Sequence, residues 1–140
     1  MKYLFQIFLV CLFFGCVSKE EKKQATTKNT IYKPSEMAVL MLKMYDANLE
    51  NKELILDGKT PTKFPEEFLN IHTATLTDPT DRDVAFKGYS DFYLQNYKMV
   101  FETSKDSLKL MHNNTINSCI ACHKTTCIGP IPKIKKLLIQ

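Results

Sequence analysis

The chain has 140 residues, with 19 Lys and Arg against 15 Asp and Glu, a formal net charge of +4, and five cysteines. One domain is the expectation at this length. The mild basic excess holds a single arginine, Arg82, and no arginine-rich or aromatic-interleaved basic run, which argues against a nucleic-acid partner. No nucleophile–base arrangement, paired acids at useful spacing or glycine-rich phosphate loop is present, so the chain does not read as an enzyme.

Met1-Lys2 is followed by YLFQIFLVCLFFGC, an apolar run shorter than the roughly 20 residues of a membrane-spanning helix and preceded by a positive charge. Residues 1–15 are therefore expected to be a signal peptide. The run stops at Gly15-Cys16, and a small residue followed by cysteine resembles a bacterial lipobox, in which Cys16 becomes the lipid-modified first residue. Phe13 and Phe14 depart from the Leu and Ser or Ala of a strong lipobox, which leaves an ordinary signal peptide or an uncleaved anchor as alternatives. Residues 16–33, VSKEEKKQATTKNTIYK after the cysteine, are polar and charge-rich and cannot bury enough apolar surface to offset their ordering entropy. They are expected to be a flexible tether, which places the chain outside the cytoplasm as a membrane-anchored lipoprotein, on the periplasmic side or the outer surface.

From Pro34 to the C-terminus the texture is that of a folded helical domain, residues 34–140. In PSEMAVLMLKMYDANLENKELILDG the apolar residues Met37, Leu40, Met41, Met44, Tyr45 and Leu49 recur at helical spacing, with Ser35 placed as a cap and Gly58 as a stop. One long helix is expected over about 35–57. The next stretch, with three prolines and many threonines, is mainly a connection, with a short helix starting after Pro65. A second long helix follows through Val84, Phe86, Tyr89, Phe92, Tyr93, Tyr97, Val100 and Phe101, despite Gly88. The last helix carries Leu108, Leu110, Met111, Ile116, Cys119, Ile120 and His123, and GPIP at 129–132 stops it. No sustained two-residue alternation appears. The expected fold is all-α, a small antiparallel four-helix bundle.

The last helix ends in NSCIACHKTTC, residues 117–127. Cys119-Ile120-Ala121-Cys122-His123 has the spacing of a c-type haem attachment site. Residues three apart on a helix share a face about one turn apart, so both thiols can reach two neighbouring vinyl groups while the histidine that follows turns to the iron. The leader strengthens this reading, because c-type haem is attached in exported proteins. Two alternatives stand beside it. A disulfide between Cys119 and Cys122 would constrain almost nothing on one helix. Zinc could use Cys119, Cys122, His123 and Cys127, although adjacent Cys122 and His123 make tetrahedral closure awkward. With Cys11 in the leader, Cys16 lipidated and two cysteines on haem, Cys127 is left as an odd thiol.

A leader, a helical bundle, a haem motif on the last helix and a methionine-bearing first helix together resemble the cytochrome c prime type, the class II cytochromes c, over about residues 35–125. The resemblance implies a four-helix bundle with one haem c per chain held by the last helix, through Cys119 and Cys122 covalently and His123 axially. MAVLMLKMY is similar to the M-x-x-M pattern of the low-spin members and puts Met41 at the sixth position, with Met44 next; a methionine-rich core stripe over Met37, Met41 and Met44 is the alternative. His72 and His112 are read as ordinary polar or core histidines. One departure is that KTTCIGPIPKIKK after His123 lacks the aromatic residue and arginine common beside the iron's proximal face.

The function these expectations favour is one-electron transfer with His/Met ligation. Lys124, Lys133, Lys135 and Lys136 would steer an acidic redox partner to the haem edge or lie on a solvated tail. Cys16 would supply membrane attachment, and a homodimer is a further partner considered. A five-coordinate haem module binding small gases such as nitric oxide is the first alternative, and a haem-free zinc lipoprotein the second.

Overall fold

The architecture was read from a computed structural model that describes residues 33–140. The leader at 1–15, Cys16 and the tether up to residue 32 lie outside the described residues. Within them the chain is all-α, built from three long helices and several short helical turns. None of these helices is long and apolar enough to cross a membrane.

Helix α1 spans Glu36–Leu56 and starts where expected: the Ser35 hydroxyl accepts from the Ala38 amide at 3.1 Å, satisfying one of the free amides of the first turn. It ends on Gly58, whose φ of 70° is the left-handed turn that glycine adopts without strain. The Gly58 amide donates to Ile55 and the Lys59 amide to Leu54, the paired bonds that close a helix C-terminus. The proline-rich connection then forms a 3₁₀ helix, Glu66–His72, that drives Phe68 and Ile71 into the core. Arg82 holds its far end by donating to the carbonyls of His72 and Ala74. The lone arginine is thus a clamp on a loop.

Helix α2, Val84–Glu102, is capped by the Asp83 carboxylate, which accepts from the Phe86 amide at 2.7 Å. It packs most extensively against α3, Leu108–His123. Two apolar cores result. Met37, Leu40, Met44, Phe68, Ile71, Phe86, Tyr93 and Tyr97 join α1, the 3₁₀ helix and α2. Ile116, Ile120, Ile134 and Leu137 form the second, and Cys119 packs against both.

The C-terminus departs from the solvated tail considered from the sequence. Pro130 precedes a short helix α4, Ile131–Ile134, in which Pro132 takes the second position, where a missing amide hydrogen breaks no helical bond. Ile134, Leu137 and Ile139 are buried. Polar contacts fix the segment: Lys52 donates to the carbonyls of Lys136 and Leu138 at 2.7 and 2.9 Å, and Asn113 exchanges two bonds of 2.9 Å with the backbone of Ile139.

His112, fully buried, completes this clamp with a 2.9 Å bond from Nε2 to the Leu137 carbonyl. Since a carbonyl only accepts, Nε2 carries the proton; Nδ1 is buried with no partner among the described residues. Burial, reinforced by the charge of Lys52, holds the His112 pKa below its ordinary value, while the Leu137 bond opposes the shift. The folded chain therefore refuses a proton that the unfolded chain accepts from about pH 6.5 downward, so stability present above that pH is lost as pH falls through the lowered folded value. The denaturant midpoint should fall between pH 7.5 and 5.5, and should fall less in H112Q.

Candidate functional site

The end of α3 lines a cavity with residues of the Cys119–His123 stretch. Cys119 and Cys122 lie one turn apart and both line this cavity of about 460 Å³, together with His123. Burial, then the neighbouring Cys122, pushes the Cys119 thiol up to about 12; burial, then Asp83, raises Cys122 as well. Both are uncharged thiols at neutral pH, compatible with apolar walls.

His123 is half-buried, and its Nδ1 lies 2.7 Å from the backbone carbonyl of Cys127. The acceptor-only carbonyl requires the proton on Nδ1, which leaves the Nε2 lone pair available to a metal and restrains the ring. The turn that follows α3 brings this carbonyl round, through Lys124 and Thr125 amides bonded back to Ile120 and Cys122 at 3.0 Å each. Cys127 accordingly contributes backbone to the site, while its residue as a whole stays exposed.

Helix α1 lines the same cavity with Met37, Met41 and Met44. Their spacing of four and three puts them along one face. Met37 and Met44 are buried and Met41 partly so. The rest of the wall is mainly apolar, with Ile71, Leu76 and Phe86 from the middle of the chain and Ile134 and Leu137 from the C-terminal segment. His72 and His112 do not line it. His72 lies 3.3 Å from an Asp91 carboxylate oxygen, and His112 serves the C-terminal clamp.

A haem fits this set of residues. The volume falls within the roughly 300–1,000 Å³ of small-molecule and cofactor sites, two thiols one turn apart could form thioethers, and an imidazole nitrogen and methionine sulfurs are donors of the kinds haem iron takes. By contrast, no group of three or more His, Cys, Asp and Glu side chains able to hold a metal ion gathers among the described residues, so Cys119, Cys122, His123 and Cys127 do not close a zinc site in this arrangement.

Several site residues have no motif to mark them. Asn48, almost fully buried, donates from Nδ2 to the Met44 carbonyl at 2.7 Å and to the Tyr93 hydroxyl at 3.3 Å, leaving Oδ1 buried without a partner among the described residues. Tyr93, whose pKa burial raises well above the ordinary value, also lines the cavity. The signal for Asn48 is its register: it lies four residues after Met44, on the face that the methionines define. No protein-family model, curated protein or solved structure matches the chain.

Proposed function

We propose that the chain is an exported c-type cytochrome, anchored to a membrane by lipid at Cys16, that transfers single electrons. The observation that carries this reading is one cavity lined by Cys119, Cys122 and His123 on α3 and by three methionines on α1. Bound haem would supply an iron that cycles between the ferric and ferrous states. In this reading Cys119 and Cys122 would fix it covalently and His123 would ligate through Nε2, its ring oriented by the Cys127 carbonyl. Met41 offers the sixth ligand, with Met44 next, and methionine there raises the potential relative to a second histidine. The mainly apolar walls would limit the access of water to a bound iron. On the class II reading, the segment 66–72 would be the short member of a four-helix arrangement.

The test is the optical spectrum of the mature holoprotein in both redox states. A low-spin ferric spectrum with a methionine–iron charge-transfer band is expected, and M41A should abolish that band and yield a high-spin form. A wild-type spectrum that is high-spin and shifts with nitric oxide or carbon monoxide would replace this reading with the gas-binding one. Persistence of the band in M41A and its loss in M44A would move the ligand one turn along α1.

A further inference from the structure

The haem reading leaves open which edge of the macrocycle enters the cavity first and what receives its acidic side. The two edges differ: one carries the vinyl groups that become thioethers, the opposite one two carboxylates. Cys119 packs against both apolar cores. The vinyl edge therefore belongs deep in the cavity. Asn48 lines the same cavity, and its Oδ1, without a partner among the described residues, offers only lone pairs, which repel a carboxylate. An unpaired carboxylate buried there would also cost far more than one at the rim.

Charged side chains are few in the lining: Asp81, Lys133 and, when protonated, His123. Asp81 disfavours a second carboxylate beside it. Lys133 is the one Lys or Arg lining the cavity among the described residues, and no carboxylate pairs with it there. Its ammonium rests over the ring of Tyr45, 4.2 Å from the centroid, and Tyr45 also lines the cavity. Cation–ring attraction at an exposed site is weak enough to yield to a carboxylate. Lys133 sits on α4, whose Ile134 is buried in the second core while Lys133 stays at the surface.

We infer that Lys133 receives a haem carboxylate at the cavity rim, so that the docked C-terminal segment sets the orientation of the cofactor. This rests on the haem reading above. It separates Lys133 from Lys124, Lys135 and Lys136, which do not line the cavity.

The experiment uses the full chain carrying C119A and C122A, in which haem binds reversibly, titrated with haem and with its dimethyl ester, in which both carboxylates are masked. Haem should bind about tenfold more tightly than the ester, the factor a charge-assisted hydrogen bond of ordinary strength supplies. K133Q should bring the ratio close to one while leaving ester affinity unchanged, which also reports that the cavity is intact, and K133R should restore it. A ratio unchanged in K133Q, or lost in Y93F instead, overturns the Lys133 assignment while the haem reading stands. Failure of this chain to bind either compound overturns the Lys133 assignment, and absence of covalent haem from the wild-type chain as well overturns both.

Discussion

With both Cys119 and Cys122 replaced by alanine, the chain produced alongside a haem-attachment machinery should carry no covalent haem. The denatured mass should fall to that of the polypeptide, and haem staining of the denatured protein should vanish. The expectation rests on placement: both cysteines line the cavity from one face of α3, and His123 follows with Nε2 left available by the bond from Nδ1 to the Cys127 carbonyl. Either single substitution removes one thioether and leaves the other residue in position, so partial attachment is expected. C127S should retain full attachment, because that residue contributes its backbone carbonyl and a serine keeps it. Covalent haem surviving in the double variant, or lost in C127S, would show that a different set of cysteines carries the chemistry. Zinc found in the purified protein, dependent on Cys127, would favour the haem-free alternative.

Much of this arrangement was legible because it is local. The helix expected at 35–57 forms at Glu36–Leu56, with Ser35 and Gly58 at its ends, since capping and left-handed turns are decided by a few neighbouring residues. The methionine spacing likewise places all three side chains along one cavity wall. What the sequence hides is which faces meet. Phe92 belongs to the apolar pattern of α2 yet is half exposed, because Phe86, Tyr93, Tyr97 and Val100 define the buried face and Phe92 lies about 100° from Tyr93 around the axis.

The C-terminal segment shows a second limit. GPIP reads as a stop, and lysines at 133, 135 and 136 read as solvent-exposed. The interleaved Ile134, Leu137 and Ile139 could have been recognised as a buried set at spacings of three and two. Their partners, however, sit on α3 and α1, far away in sequence: His112, Asn113 and Lys52 hold carbonyls or amides that no local pattern announces. Arg82 is similar, since a lone arginine gives no hint that it closes the end of a 3₁₀ helix ten residues earlier. Backbone-directed contacts of this kind leave almost no trace in residue type.

Y97A should be the most damaging single substitution in the first core, because Tyr97 is 1% exposed and touches four aromatic rings. It stacks on Tyr93 at 5.5 Å and meets Phe64, Phe68 and Phe101 at centroid distances of 5.8, 5.5 and 5.2 Å. Emptying such a site costs about 3–5 kcal/mol by comparison with other large aromatic-to-alanine changes. That is comparable with the whole stability of a marginal domain, roughly 5–15 kcal/mol. Y97F separates packing from polarity. It keeps the rings in contact and removes only the hydroxyl that accepts from Asn51 Nδ2 at 3.2 Å, leaving that buried donor unpaired at a cost of about 1–3 kcal/mol. Denaturant unfolding of the three proteins, with and without haem, measures both steps. Since Tyr93 stacks on Tyr97 and also lines the cavity, Y97A should weaken the methionine–iron charge-transfer band of the holoprotein more than Y97F does. An equal band in the two variants would mean that the aromatic cluster supports the fold without supporting the site.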